Sequence, residues 1–320
     1  MPDGAVAVDL GGSWIRAGVV SGEGTVREVV RAPTPPAGPE AVADAIAALV
    51  RQLGPLPPGR VGVAVPGPLS PREGVVYEPP NLQGWKDVPL RRMLEERLGR
   101  AVVLENDANA AALGEWWKGA GAGSRHLVYV TVSTGVGGGL VLDGRLYRGA
   151  SETAGEIGHV VVDPDGPVCS CGRPGHLEGI ASGPAIARWV SERLREGQPS
   201  VLAGRESLSA REVAEAAERG DRLAQEAFQR AGRYLGLAVA GVLNLLNPEV
   251  VVIGGGVARA GRWLFAPLME AARQASFQRP WRAVRILPAA LGDYAGLVGV
   301  ARLAMEPEGG MSRGPGGPAD

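Results

Sequence analysis

The sequence predicts an α/β protein made of two similar halves. Short apolar, β-branched stretches alternate along the chain with stretches of helical periodicity, the pattern of a layered α/β fold. Each half opens the same way, as a strand, a glycine-rich turn and a second strand. The 320 residues suffice for one large or two medium domains with a full core. No short-period self-similarity occurs, which excludes a solenoid.

In the first half, residues 5–10 form an apolar, β-branched run that reads as a buried strand. Gly11 and Gly12 turn the chain, residues 14–20 return as a second strand, and 25–31 form a third. Residues 40–53 have helical spacing and stop at Gly54-Pro55. Residues 61–65 are a strand closed by Pro66-Gly67-Pro68. A helix over 90–98 is stopped by Gly99, 101–104 is a strand, and a helix starts near Asp107 and runs to 117. In the second half, 127–132 is a strand, 133–139 a glycine-rich turn, and 140–142 leads to the tight turn Asp143-Gly144. Helices follow over 184–194, 209–219 and 221–246. Residues 250–253 form a strand ending in three glycines, 261–274 a helix, 284–287 a strand and 297–305 a last helix. The break between halves falls within 107–123. The tail from 306 is of low complexity and is expected to be disordered.

Composition excludes several function classes. The formal net charge is −1, with Lys and Arg spread along the chain. This gives no basic patch for nucleic acid and no membrane-binding surface. No apolar run reaches the ~18 residues of a membrane helix, and the first residues read as a strand rather than a signal peptide. Two cysteines are too few for a disulfide scaffold. A cytoplasmic protein is expected.

Both cysteines, Cys169 and Cys171, fall in one short window with two of the three histidines, His159 and His176. Two thiolates and two imidazoles are a ligand set that zinc prefers. The alternatives are a strained or redox-active Cys-x-Cys pair and a metal-free loop. Glu156 and Glu178 bracket the window and suggest a reason to hold it still. With four protein ligands, the zinc has no open position and is structural.

Two glycine turns stand at matching places, Asp9-Leu-Gly-Gly-Ser13 and Ser133-Thr-Gly-Val-Gly-Gly-Gly139. Glycine lets backbone N–H groups approach an anion closely. Asp9 is placed to hold Mg²⁺ through water, and Ser13 and Thr134 to donate to phosphate. Each turn by itself is equally a tight hairpin; the pair favours phosphate. A third turn, Val252-Ile-Gly-Gly-Gly-Val257, lacks the G-x-G-x-x-G spacing and suits the wall of an adenosine site. No Walker A sequence is present. Leu104-Glu-Asn-Asp-Ala-Asn-Ala110 ends a strand and opens a helix. Asn106 or Asp107 serves as N-cap, or Asp107 accepts a hydroxyl proton during phosphoryl transfer with Asn106 binding a neighbouring hydroxyl.

These pieces together resemble the ROK sugar kinases, especially their bacterial glucokinases. The matching segments are DLGGS (9–13), VPGPL (65–69), PNLQGW (80–85), ENDANAAALGE (105–115), STGVGGG (133–139), GEIGH (155–159), CSCGRPGHLE (169–178) and VIGGG (252–256). The resemblance implies a two-lobed actin-like, ribonuclease-H-like ATPase fold with a central cleft and a zinc-bound loop, closing on ATP and a hexose. It places a smaller lobe over 1–111, joined by the helix 294–305, and a larger lobe over 112–293. It implies Asp107 as the base for the sugar 6-hydroxyl and Asn106, Glu156, His159 and Glu178 as sugar ligands. Asp9, Gly11, Gly12 and Ser13, with Thr134, Gly135, Gly137 and Gly138, would be the phosphate loops. Gly255 and Gly256 would line the adenosine site. His159, Cys169, Cys171 and His176 would bind one structural Zn²⁺, and ATP would enter with Mg²⁺. The family's usual last zinc ligand is a cysteine; here it is His176.

The reaction implied is phosphorylation of a hexose, glucose first, as a homodimer or homotetramer. Mannose, fructose and N-acetylated hexosamines are alternative substrates, and ADP or polyphosphate alternative donors. The family also contains sugar-responsive transcriptional regulators. These carry a DNA-binding domain ahead of the first phosphate loop, for which a loop starting at Asp9 leaves no room.

Overall fold

A computed structural model describes residues 4–79 and 81–307. The expected disordered tail falls outside the described residues from 308 on. The strands are β1 (Gly4–Leu10), β2 (Trp14–Ser21), β3 (Val26–Pro33), β4 (Val61–Val65), β5 (Leu69–Ser70), β6 (Val75–Val76), β7 (Val102–Asn106), β8 (Leu127–Val132), β9 (Val136–Leu142), β10 (Arg145–Tyr147), β11 (Val250–Gly254) and β12 (Arg285–Pro288). The helices are α1 (Pro39–Gln52), α2 (Leu90–Leu98), α3 (Asp107–Lys118), α4 (Glu178–Ala181), α5 (Gly183–Arg195), α6 (Ala210–Glu218), α7 (Arg222–Leu246), α8 (Arg262–Ala275), α9 (Gln278–Ala283) and α10 (Ala295–Ala304). None is long and apolar enough to cross a membrane.

Two five-stranded sheets have the same order, β3-β2-β1-β4-β7 and β10-β9-β8-β11-β12. In the first, β1 pairs antiparallel with β2 and parallel with β4, and β4 runs parallel to β7. The second also mixes directions: β9 and β10 are antiparallel, β11 and β12 parallel. The repeated order is the structural form of the two-halves pattern in the sequence. The chain divides into two compact units, one of Met1–Tyr129, Gly139–Gly155 and Ala290–Asp320, the other of Val130–Gly138 and Glu156–Ala289.

In the first unit, strand alternation sorts side chains by size. Val6, Val8 and Leu10 meet Val42, Ile46 and Val50 of α1 and Leu90 and Leu94 of α2. Ala5 and Ala7 face the other way, toward Leu297, Val300 and Ala301 of α10. That face is small because α10 lies almost backbone to backbone on its neighbours. A Cβ on Gly62 would sit 2.2 Å from the Val300 carbonyl oxygen, and one on Gly299 would sit 1.7 Å from that of Ala110. In the second unit, α7 and α8 meet in the same manner, with Gly232 and Gly236 against the Leu264 and Leu268 carbonyls.

Two sequence expectations change. The glycine-rich turn suggested for 133–139 ends at Gly135, and Gly137, Gly138 and Gly139 lie in β9. At Gly139 glycine is required by packing: a Cβ there would sit 2.6 Å from the Ala112 Cβ and 2.8 Å from the Ala108 carbonyl oxygen of α3. Helix α9 has no sequence signal because none of its residues is buried. Since no rotamer can relieve a clash with a carbonyl, Gly299→Ala is expected to cost about 3 kcal/mol or more of stability. Denaturant unfolding measures it; a loss below about 1 kcal/mol would contradict this packing.

Candidate functional site

In the first unit, Asp9 sits near the end of β1, opposite Arg16 of β2. The Arg16 Nη1 donates to Asp9 Oδ2 at 3.1 Å. Burial pushes the Asp9 carboxyl above its usual range; Arg16 opposes the rise and Asp293 adds to it. Next to it, the Gly11 N–H donates to the Trp14 carbonyl at 2.9 Å and the Thr34 hydroxyl to the Gly11 carbonyl at 2.6 Å. The turn therefore has a fixed shape, while Gly12 and Ser13 remain exposed.

At the β7–α3 junction, the capping reading falls on Asn106. Asn106 is the N-cap, its Oδ1 accepting from the Ala108 and Asn109 N–H groups at 3.0 and 3.1 Å. With the cap supplied by Asn106, Asp107 is exposed as the first helical residue. A carboxylate at that end is favoured by the helix dipole. Glu105 and Arg148 are the residues that sequence reasoning missed. Glu105 is fully buried and receives four hydrogen bonds, two of them from the Arg148 guanidinium. Removing Arg148 would leave the Glu105 charge buried without its counter-ion, which is costly. An acidic residue in the apolar strand VVLEN was the available signal, since it must find a partner.

In the second unit, the turn between β8 and β9 is closed by the Ser133 N–H on the Gly135 carbonyl at 2.8 Å. Glu178, at the start of α4, reaches into it: its Oε2 accepts from the Val136 N–H at 3.0 Å. A Cβ on Gly135 would lie 2.6 Å from that oxygen. Glu178 Oε1 accepts from the Ser170 hydroxyl at 2.5 Å. Burial alone would raise the Glu178 carboxyl, but the hydrogen bonds from Ser170, Val136 and Cys169 outweigh it and hold it below the usual range. Gly158 packs against the same hairpin, where a Cβ would be 2.0 Å from the Val136 carbonyl oxygen. This fixes the short 3₁₀ turn Ile157–His159 and places Glu156 Oε2 3.8 Å from His159 Nε2.

His159, Cys169, Cys171 and His176 come together, their ligand atoms all within 4.8 Å of one another. The two Nδ1 atoms are 3.3 Å apart, Cys171 Sγ is 3.2 Å from His176 Nδ1, and Cys169 Sγ is 3.9 Å from His159 Nδ1. Two nitrogens bound tetrahedrally to zinc at ordinary bond lengths sit about 3.3–3.4 Å apart, so the donor set fits that ion. The loop is pinned by a pair the sequence did not reveal: Tyr234 of α7 donates to Asp163 Oδ2 at 2.8 Å. Asp163 also lies against Gly175, whose φ of 74° and lack of space both demand glycine.

A cavity of about 740 Å³ opens beside the same hairpin. Ser133, Thr134, Gly183, Ser209, Val257 and Gly256 contribute to its lining, which is mostly apolar. The N-terminal residues of α5 and α6 both border it. Gly255, just before Gly256, has φ 86° and ψ 169°, a backbone conformation open in practice only to glycine. A Cβ there would sit 2.3 Å from the Val132 carbonyl oxygen.

The ROK family model matches residues 5–306. The chain belongs to the ROK family. A glucokinase of Thermotoga maritima is 40% identical over 312 residues, covering 95% of this chain and 98% of that protein. Among solved structures, a ROK hexokinase from Thermus thermophilus aligns with a TM-score of 0.80 at 40% identity, over 93% of this chain and 96% of that one. A ROK glucokinase from Streptomyces griseus, in complex with glucose and AMPPNP, aligns with a TM-score of 0.82 at 36% identity, over 94% and 98%. The mixed sheets are thus those of the ROK sugar kinases, an actin-like ATPase fold.

Gly255→Ala adds both forbidden dihedrals and a backbone clash, so it is expected to destabilise the protein by about 3 kcal/mol. Chemical denaturation reads this directly; parent-like stability would contradict the Gly255 geometry.

Proposed function

We propose that this protein transfers the γ-phosphoryl group of ATP to the 6-hydroxyl of glucose. The observation that carries the reading is near-full-length similarity to glucokinases, joined to an exposed Asp at a capped helix start. Asp107 accepts the hydroxyl proton as the oxygen attacks phosphorus. Asn106, fixed as cap by its Oδ1, offers its amide Nδ2 to a sugar hydroxyl. Glu156, His159 and Glu178 bind sugar hydroxyls.

Gly11, Gly12 and Ser13, and Thr134, Gly135, Gly137 and Gly138, face the phosphates of ATP. The backbone N–H groups of Gly12 and Ser13 and the hydroxyls of Ser13 and Thr134 supply positive ends where charge develops. Thr134 and Gly256 line the cavity that takes the nucleoside, with Gly255 shaping its wall. The Mg²⁺ that accompanies ATP neutralises phosphate charge, and Asp9 is the carboxylate to hold it. His159, Cys169, Cys171 and His176 would hold a structural zinc, which keeps the His159 and Glu178 loop rigid. An imidazole in place of the family's usual thiolate keeps four good ligands. Each histidine would use Nδ1, which would leave His159 Nε2 for the sugar.

A coupled assay over glucose, mannose, fructose and N-acetylated hexosamines, with ATP, ADP and polyphosphate, tests the substrate assignment. Glucose with ATP should give the highest kcat/KM; faster turnover of any other pair would overturn it. Asp107→Ala should lower kcat by about 10²-fold or more, and retention of more than about a tenth of it would remove Asp107 as the base. Elemental analysis of purified, active enzyme should find about one zinc per chain. Full activity without zinc would rule out the structural metal.

A further inference from the structure

Glu105 lies one residue before the cap Asn106 and two before Asp107. Its two carboxylate oxygens are used differently. Oε2 takes both hydrogen bonds from Arg148, from Nε at 2.8 Å and Nη2 at 2.6 Å. Oε1 faces the junction and takes the Asn106 N–H and the Asn109 Nδ2, both at 3.1 Å. Asn109 is buried, and its Oδ1 has no hydrogen-bond partner among the described residues, so Glu105 alone orients that amide. The two ends of the carboxylate thus connect a guanidinium to the backbone that begins α3.

Arg148 is delivered to this place by the β9–β10 hairpin. Gly139 of β9 seats that hairpin directly on the first turn of α3, against the Ala108 carbonyl. Arg148 follows β10 immediately, and its position is set by strands already packed on the helix it helps to hold. Nε and Nη2 both close on the single oxygen Oε2, so the guanidinium holds that end of the carboxylate while the Asn106 N–H and the Asn109 amide hold the other; an ammonium could not place two such donors in one plane.

We propose that Arg148 is a positioning residue for phosphoryl transfer. By fixing the Glu105 carboxylate, it sets the Asn106 backbone and the first turn of α3, and hence the direction of Asp107. This rests on the reading of Asp107 as the base. Arg148 itself touches neither reacting group; it acts only through Glu105. Glutamine at 105 keeps an acceptor for the Asn106 N–H and the Asn109 amide without leaving a buried charge unpaired. Glu105→Gln should therefore repair the loss of Arg148.

The test compares Arg148→Met, Arg148→Lys and the double variant Glu105→Gln/Arg148→Met, with kcat, both KM values and unfolding midpoints measured for each. Arg148→Met should lower kcat about tenfold or more while KM for ATP stays within about twofold. The double variant should regain at least about fivefold in kcat over Arg148→Met. Arg148→Lys, which keeps the charge but not the fork, should fall between parent and Arg148→Met. If Arg148→Met does not fold, the lysine and double variants decide. Parent-like kcat in Arg148→Met or Arg148→Lys, or a double variant no better than Arg148→Met, would overturn the proposal. Asp107→Ala assayed alongside separates the two readings. Parent-like turnover there removes the base assignment and this proposal with it, whereas its loss beside parent-like Arg148→Met removes only this proposal.

Discussion

Glu105 is buried to zero exposure, and the N-terminus of α3 keeps its form because four donors meet that carboxylate. A second buried carboxylate acts at the other end of the same helix. Glu115, also fully buried, accepts from the N–H groups of Ala120, Ala290 and Leu291 at 2.8, 3.1 and 2.8 Å. It ties the returning chain to α3 just before α10. One helix is therefore held at both ends by groups that are costly to bury unless every partner is present. The arrangement is specific for that reason: a shifted helix would leave a charge without donors.

Glycine supplies the complementary constraint in both units. Where α10 crosses α3 and β4, where α7 crosses α8, and where Gly158 and Gly255 meet the β8–β9 hairpin, main chain lies on main chain. Such contacts leave side chains no room to repack, so the elements they join move as one. The β8–β9 turn profits most in the second unit. It is closed by its own backbone, held by Glu178, and flanked by Gly158 and Gly255. The turn proposed to face the phosphates, the loop proposed to face the sugar and the cavity proposed for the nucleoside all converge on it.

Much of this was legible in the sequence. The His/Cys window stood out because scarce residues clustered, and the alternation of periods gave the first sheet, β8, β11 and β12 of the second, and most helices. The reach of the second glycine turn was not legible: Gly137 to Gly139 read as loop because nothing local says that they continue a strand or that a helix backbone lies above Gly139. The two-residue strands β5 and β6 are too short to carry a period, and α9 buries no face. The partners of the site were hidden by sequence distance. Arg148 meets Glu105 across 43 positions and Tyr234 meets Asp163 across 71. The strand carrying Glu105 announced that a partner must exist, but only the fold could say which.

The central claim is that Asp107 receives the proton of the sugar 6-hydroxyl. A crystal structure of the protein with glucose and a non-hydrolysable ATP analogue tests it most directly. The account predicts an Asp107 carboxylate oxygen about 2.6–3.2 Å from O6 of the sugar, with O6 directed at the γ-phosphorus. A different hydroxyl against Asp107, or a sugar that Asp107 does not touch, would contradict it.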